Sequence, residues 1–429
     1  MSYMIKIFRI GIFAVSCASF AFGQARRSNE DESRVGQYTL PEVLKCLDGS
    51  PVTTAEDWTG KRRAEVLRLY EEHVYGKTPT TPKLDAQVLS ERADALGGIA
   101  TRRIVRLRMK DKPAWEGVDV MIYIPNEAKR PVPAFVGLSF GGNHAVSPDI
   151  DVSISDRWMR PSQDDTVRNN RATVRSRGKE ANRWPLEMIL KRGYAVVTAY
   201  YGDIEPDHTQ GWKDGVRGAL AEKGADTVWQ SGEWGAIGAW AWGLSRMLDY
   251  VETVDALDAK HCAVIGHSRL GKTSLWAGAQ DERFAMVISN DSGEGGAAIM
   301  RRNFGETTKI ITTSFPHWFT PKYASYSDNA ADCPVDQHML ISLMAPRPVC
   351  IGSAEDDLWA DPKGEFLSGL NAQPVYDLFG LQGVSVKHHP AVNTPVGDVV
   401  RYHMRSGKHD VTDFDWQRYL DAADAHFKK

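Results

Sequence analysis

Residues His261–Lys272, HCAVIGHSRLGK, carry the strongest structural signal in this chain. The apolar run Cys262–Ile265 predicts a buried strand, and after a Gly-His-Ser-Arg turn the sequence favours a helix. In the nucleophile elbow of α/β-hydrolases a serine on such a turn is exposed above the sheet, so Ser268 is the candidate nucleophile. The pattern departs from G-x-S-x-G, because Leu270 stands at the last glycine position and Gly271 follows it. A plain capping turn before a helix is the alternative interpretation.

Two later loops carry the acid and the histidine that a serine nucleophile needs. Pro348–Ser353 is a predicted buried strand, and the acidic loop that contains Asp357 follows it. Val399–Arg405 is the next predicted strand, followed by His409 and by a final helix that Thr412 caps. Serine, acid and histidine in this order, each after a strand, are typical of α/β-hydrolases. The sequence therefore predicts an α/β-hydrolase fold: a mostly parallel sheet between two layers of helices, with insertions around the active site.

The acid of this predicted triad has two candidates. Asp357 is favoured because it lies in the usual loop after the strand. Asp291 follows the preceding predicted strand, Ala285–Asn290, and is a possible substitute or second acid. Glu355 and Asp356 are expected to be solvated charges of the loop.

The base also has competitors among the other histidines. His388 and His389 lie too far ahead of the last predicted strand, and His403 lies within it. His409 is therefore the expected general base, since it alone of the four follows that strand directly.

Several blocks of sequence resemble the bacterial branch of the glucuronoyl esterases, carbohydrate esterase family 15. They are GHSRLGK at Gly266–Lys272, SNDSGEGGAA at Ser289–Ala298 and SGKHD at Ser406–Asp410. The similarity covers most of the chain beyond its leader, including the predicted helix around Arg62–Tyr75 and the FGGNH segment at Phe140–His144. Serine followed by arginine, with lysine three positions further, is not the usual esterase elbow, so these motifs are fairly specific.

The resemblance implies a serine esterase that uses neither a metal nor an organic cofactor. Its substrate would be an ester between 4-O-methyl-glucuronic acid of glucuronoxylan and a lignin alcohol. By similarity, Glu306 and Trp359 would contact the hydroxyls and the ring face of the uronic acid, although Trp359 could instead pack the acid loop. Fungal relatives place a glutamate at the position of Asp291 and a disulfide cysteine at the position of His267, so that disulfide is excluded here.

Two cations beside the serine indicate how charge could be handled at the site. The backbone N–H of Arg269, and its guanidinium, could face the ester carbonyl oxygen. Lys272 falls in the first helical turn, where the helix dipole disfavours a cation by several tenths of a kcal/mol, which predicts a compensating ligand or carboxylate. Solvated or salt-bridged surface charges are the alternative for both residues.

The sequence is also compatible with two other functional classes. An acetyl-xylan esterase or a general carboxylesterase of the same fold would keep the triad without needing Arg269 and Lys272. A non-catalytic carbohydrate-binding relative would lose a member of the triad, and no such loss is visible. The net charge of −3 gives no reason to expect nucleic acid or an anionic membrane as a partner.

The N-terminus indicates export. Met1–Gly23 combines Lys6 and Arg9 with a short apolar run and a small-x-small end, as in a secretory signal peptide, and it is too short for a membrane span. A periplasmic or extracellular protein is therefore expected, with a single catalytic domain over residues 24–429. The remaining cysteines are expected to be buried thiols, although an oxidising compartment would permit one disulfide; they are Cys46, Cys262, Cys333 and Cys350.

The N-terminal half supplies the early elements of the predicted fold. Thr54–Tyr75 has helical spacing of apolar residues, and the first strands, some antiparallel, are expected at Ile104–Met109, Val118–Ile124 and Val132–Phe140. The glycine loop that follows is either part of the oxyanion hole or a plain turn. Ser147–Trp184, rich in charges, is predicted to be an insertion over the carboxyl edge of the sheet.

Overall fold

The structure, a computed structural model, describes residues 28–79, 84–221 and 234–428. Its strands are β1 Leu84–Ala95, β2 Ala100–Met109, β3 Val118–Pro125, β4 Val132–Ser139, β5 Val167–Arg168, β6 Arg171–Ala172, β7 Ala195–Tyr200, β8 Leu257–His267, β9 Met286–Asn290, β10 Val349–Ala354, β11 Val396–Gly397 and β12 Val400–Arg405. β5 and β6 form a separate small hairpin, and the others form one sheet in the order β1-β2-β3-β7-β4-β8-β9-β10-β12-β11.

The sheet is parallel where the site residues are carried and antiparallel at its edges. β7, β4, β8, β9, β10 and β12 pair in parallel with their neighbours. β1, β2 and β3 pair antiparallel with one another, β3 pairs antiparallel with β7, and β11 with β12. The carboxyl ends of the parallel strands therefore meet at one edge, where ligands of open α/β sheets bind.

Helices cover both faces of the sheet. They are α1 Ala55–Asp57, α2 Arg63–Tyr70, α3 Asn143–Val146, α4 Leu186–Lys191, α5 Tyr201–Ile204, α6 Val216–Leu220, α7 Ala236–Val251, α8 Arg269–Gln280, α9 Thr308–Ser314, α10 Pro321–Ala324, α11 Gln337–Ser342, α12 Pro362–Asn371, α13 Gln373–Asp377 and α14 Asp413–Phe427. α1 and α2 belong to one long helix with two π-helical stretches, Trp58–Arg62 and Glu71–Tyr75.

Alternate side chains of the central strands enter two separate cores. In β8, Cys262 and Val264 pack in the core that α7 and α8 share, whereas Ala263 and Ile265 pack with residues of α4 and α14. Strands buried on both faces need continuous apolar runs, which is what the sequence of β8 offers. The three-layer arrangement predicted from the sequence is confirmed.

The sheet begins earlier than the sequence predicts. The first expected strand started at Ile104, but β1 precedes it and pairs along β2, with two register shifts. Residues Asp85–Asp94 of β1 are all exposed, so the strand lacks the apolar alternation that would mark it.

Three further predictions concern the cysteines, the N-terminal leader and the absence of a membrane span. The four cysteines beyond the leader are buried and free, as expected. The proposed signal peptide, residues 1–23, lies outside the described residues. Among the helices of residues 28–79, 84–221 and 234–428, none has the length and apolar character that crossing a bilayer requires.

Candidate active site

Ser268 occupies a strained turn between β8 and α8. Its backbone has φ 57° and ψ −129°, a conformation that non-glycine residues adopt rarely and mostly at functional sites. Its N–H donates a 2.9 Å hydrogen bond to the carbonyl of Asn290 at the end of β9, which fixes the turn to the neighbouring strand. This geometry is that of a nucleophile elbow and not of a simple helix cap.

Close packing explains why the glycines of the elbow stand where they do. A Cβ at Gly266 would lie 1.8 Å from the carbonyl oxygen of Leu270, so this position admits no side chain. Leu270 is itself buried in the core and needs no glycine. At Gly271, a Cβ would lie 2.9 Å from the Cβ of Ser292, because α8 approaches the loop after β9 there. The departure from the usual motif thus moves the close helix contact by one residue.

A histidine and an acid stand in the same cleft as Ser268. His409 Nδ1 and Asp357 Oδ2 are 2.6 Å apart, which places the N–H on Nδ1 and leaves Nε2 free to accept a proton. The Asp357 side chain is 6% exposed and that of His409 is 40% exposed, so the acid is sheltered and the base opens to the cleft. Ser268, Asp357 and His409 all line this cleft, whose volume is about 440 Å³.

Asp291 lies in the same place but has a different set of contacts. Its Oδ2 accepts from Arg405 at 3.3 Å and from the Asp410 N–H at 3.2 Å. Burial raises its pKa well above the ordinary value, and the nearby carboxylates of Glu365 and Asp357 raise it further. Since the histidine N–H is bonded to Asp357, the geometry supports Asp357 as the orienting acid and leaves Asp291 as the second carboxyl beside it.

The ligand atoms of this cluster lie close together. Within the described residues, Asp291, Asp357 and His409 form the one group of three or more histidine, cysteine or acidic side chains whose ligand atoms all lie within 4.8 Å of one another. The short bond between His409 and Asp357 is the contact that a serine nucleophile needs, and it uses the same atoms.

The other candidate bases and acids have different surroundings. His403 is buried and pairs with Asp415 at 2.8 Å, and His389 bonds to the Tyr402 hydroxyl at 3.0 Å. His388 is exposed, as are Glu355 and Asp356, which fits the expectation of solvated loop charges.

Arg269 reaches the cleft while its guanidinium is held from behind. It forms an ion pair with the buried carboxylate of Asp207. Its Cζ lies 4.8 Å from the Trp318 ring centroid and 5.7 Å from that of Phe315, within the range of cation–π contacts. Asp207, Phe315 and Trp318 carry no sequence motif, and the sequence analysis missed all three.

Lys272, Glu306 and Trp359 form a polar corner of the cleft. The Lys272 ammonium, only 4% exposed, donates to the Ser292 carbonyl and lies 4.0 Å from the Glu306 carboxylate, which supplies the expected compensating charge. Burial lowers the pKa of Lys272 and raises that of Glu306, and the charge of each partly offsets the effect on the other. Trp359 is 43% exposed, so it is available for contact and is not a packed core residue.

Polar contacts hold the glycine loop after β4. The Phe140 N–H donates to Glu180 at 3.2 Å, the Asn143 amide donates to the Asp119 carbonyl at 2.7 Å, and His144 contacts Ser176 at 2.7 Å. These contacts favour the plain turn of the two interpretations. The N–H of Arg269 lies in the first turn of α8, where backbone donors lack intrahelical acceptors.

Comparisons with known proteins agree with this geometry. A family model described as glucuronyl esterase, fungi, matches residues 188–380. A carbohydrate esterase from an unknown prokaryotic organism is 47% identical over 407 residues, 94% of this chain and 93% of that protein. The structure of a glucuronoyl esterase from Solibacter usitatus is 49% identical, with a TM-score of 0.87, over 92% of this chain and all of that one. A promiscuous esterase of carbohydrate esterase family 15 from a marine bacterial metagenome is 45% identical, with a TM-score of 0.86, over 93% of this chain and 100% of that one.

The parallel sheet with an elbow serine at its carboxyl edge defines an α/β-hydrolase. High identity over nearly the whole chain gives the narrower assignment. The chain belongs to carbohydrate esterase family 15, the glucuronoyl esterases, and is a carboxylic ester hydrolase. The resemblance seen in the sequence motifs is thereby confirmed.

Proposed function

We propose that this protein hydrolyses esters of 4-O-methyl-glucuronic acid, such as those that join glucuronoxylan to lignin, with Ser268 as nucleophile and His409 as base. The observation that carries the proposal is the 2.6 Å bond between His409 and Asp357 in the cleft of the elbow serine. A fungal relative from Schizophyllum commune, 25% identical over 86% of this chain and 81% of that protein, is named 4-O-methyl-glucuronoyl methylesterase.

The triad would act in two steps. The Ser268 Oγ forms a bond to the ester carbonyl carbon as His409 Nε2 takes its proton. The tetrahedral intermediate then expels the alcohol, which receives that proton, and leaves an acyl-enzyme that water hydrolyses by the same route. Asp357 holds the His409 tautomer and stabilises the imidazolium that forms in each step.

Charge on the carbonyl oxygen would be met by Arg269. Arg269 directly follows the nucleophile in the chain and lines the same cleft, and its side chain is only 20% exposed. Electrostatic contacts are stronger in such a partly desolvated place than in water. No organic cofactor or metal is needed for this chemistry.

The corner formed by Lys272, Glu306 and Trp359 would bind the uronic acid. An ammonium next to a carboxylate offers both donors and acceptors to sugar hydroxyls, and an exposed indole offers an apolar face.

The proposal also includes export through the signal peptide Met1–Gly23, which N-terminal sequencing of the secreted protein would test.

The proposal is tested by comparing three substrates: methyl 4-O-methyl-glucuronate, acetylated xylan and p-nitrophenyl acetate. We expect the glucuronate ester to be preferred in kcat/KM. In Lys272→Met, kcat/KM for the glucuronate ester should fall by roughly 10–100-fold while that for p-nitrophenyl acetate stays nearly constant, because the acetate has no sugar to hold. Equal losses on both substrates would mean that Lys272 is structural, and preference for acetylated xylan would favour the acetyl-xylan esterase alternative.

A further inference from the structure

Asp207 is a buried carboxylate that gathers donors around the base of Arg269. Its side chain is fully buried, and it lies in the segment after α5. It accepts hydrogen bonds from His317 Nε2 at 2.9 Å, from Trp318 Nε1 at 2.7 Å and from the Tyr201 hydroxyl at 3.1 Å. Its charged partners are Arg269 and, at 3.2 Å, Arg160 of the insertion. A carboxylate so deeply buried persists only when its oxygens are satisfied in this way.

These contacts restrict Arg269 to one orientation. The guanidinium is bonded to Asp207 on one edge and lies within 6 Å of three aromatic ring centroids, those of Phe140, Phe315 and Trp318. Trp318 contributes twice, since its ring packs on Arg269 and its indole N–H bonds to Asp207. Phe315 in turn stacks on Trp318 with centroids 3.8 Å apart.

The charges of the cluster around Asp207 leave Arg269 able to bind an anion. Burial alone would raise the pKa of Asp207, but the hydrogen bond from His317 and the charge of Arg269 outweigh burial and hold the pKa well below its ordinary value. One ionised carboxylate between the guanidinium groups of Arg160 and Arg269 leaves a net positive charge. Asp207 therefore holds Arg269 while the group of these three side chains keeps a net positive charge.

We propose that Asp207 is a positioning residue that fixes the Arg269 guanidinium at the cleft it shares with Ser268, so that Arg269 can meet the oxyanion. The inference rests on the proposed function of Arg269 and extends it to a group that does not line the cleft. A preorganised donor needs no rearrangement as charge develops, so its support matters for kcat more than for KM.

The test is Asp207→Asn, which keeps the shape and one acceptor oxygen but removes the charge. We expect kcat to fall by roughly 10–100-fold on both methyl 4-O-methyl-glucuronate and p-nitrophenyl acetate, with little change in KM. Glu205→Gln is the matched control: Glu205 is two residues away, equally buried, and bonded at 2.8 Å to Arg217, which does not line the cleft. Its kcat should stay within about twofold of the wild type.

A double-mutant cycle separates positioning from general structural damage. If Asp207 acts through Arg269, then Asp207→Asn should cause no further loss of kcat in an Arg269→Ala background. Multiplicative losses, or an equal loss of kcat in Glu205→Gln, would overturn the proposal. If Asp207→Asn does not fold, His317→Leu removes a single hydrogen bond to Asp207 and should give a smaller loss with the same dependence on Arg269. Failure of the wild type to cleave the glucuronate ester would instead count against the proposed function, because the cycle can be run on p-nitrophenyl acetate.

Discussion

At the scale of single residues, the elbow serine makes the most direct prediction. Ser268→Ala should abolish turnover while leaving the fold and ligand binding nearly intact, because only the nucleophilic oxygen is removed. Activity on methyl 4-O-methyl-glucuronate and binding of its acid product measure the two effects. Ser406→Ala, at an exposed serine in the loop before His409, is the control and should keep full activity. Substantial turnover by Ser268→Ala would remove the nucleophile assignment.

The two acids beside His409 should differ in importance. Asp357→Asn loses the bond that fixes the histidine tautomer, so kcat should fall by roughly 10³–10⁴-fold. Asp291→Asn, the matched isosteric change, should cost less, since the bonds of Asp291 go to Arg405 and to the Asp410 backbone. Steady-state kcat for both variants decides the point, and the reverse ranking would make Asp291 the triad acid.

At the scale of elements, the close contact between α8 and the loop after β9 is a test of packing. Gly271→Ala places a Cβ 2.9 Å from the Ser292 Cβ, and such overpacking should lower the free energy of unfolding by about 1–3 kcal/mol. Gly60→Ala is the control: it lies in the long N-terminal helix, its new Cβ meets no atom within 4 Å apart from its neighbours and the helix's own backbone, and it should stabilise by about 0.4–1 kcal/mol. Urea unfolding measures both, and a neutral Gly271→Ala would refute the packing explanation of the displaced glycine.

The elements also show what sequence could predict. β8 and β10 contain apolar runs buried on both faces, and β12 alternates apolar Val400, Tyr402 and Met404 with polar residues. These patterns predict the carboxyl ends of all three strands within a residue or two. Their loops follow directly, which is why Ser268 and His409 could be placed. β1 could not be predicted in this way, because LDAQVLSERADA has the composition of a helix and neither face of that strand is covered.

The residues that hold Arg269 from behind could not be predicted from sequence patterns, for a different reason. Asp207 and Trp318 lie in irregular segments that are far apart in the chain, and their bond of 2.7 Å depends on how those segments pack. Periodicity has no meaning in such segments, and a lone aspartate carries no signal. What could be predicted was the order of chemical groups on strand ends, and what could not was the scaffold behind them.

At the scale of the whole molecule, buried carboxyls make stability depend on pH. Burial raises the pKa of Glu294 to about 7, although hydrogen bonds from Thr308 and Tyr323 oppose this. Glu180 and Glu365 are raised to about 7 for the same first reason. The unfolded chain loses these protons near pH 4.5 and the folded chain near pH 7, so their contribution to stability is present at low pH and is lost as pH rises between these values.

Replacing one such carboxyl should show the effect. Glu294→Gln keeps the acceptor oxygen without an ionisable proton, so its unfolding free energy relative to the wild type should rise between pH 5 and pH 8, by at most about 3 kcal/mol. Urea unfolding at the two pH values measures the change. Glu187→Gln, at an exposed position of α4, should show no such rise. A constant difference for Glu294→Gln would mean that Glu294 stays ionised in the folded protein.

The two edge strands of the sheet, β1 and β11, affect how the folded protein behaves at high concentration. A strand from another molecule can add only to a straight row of free N–H and C=O groups. β1 offers a row broken by two register shifts and flanked by charges, with Glu91 bonded to Arg103 at 2.7 Å, and β11 offers two residues. These features disfavour intermolecular β-pairing at both edges, although Val88 and Leu89 of β1 are exposed. We therefore expect concentrated folded protein to resist growth into sheet aggregates even though the sheet is ten strands wide.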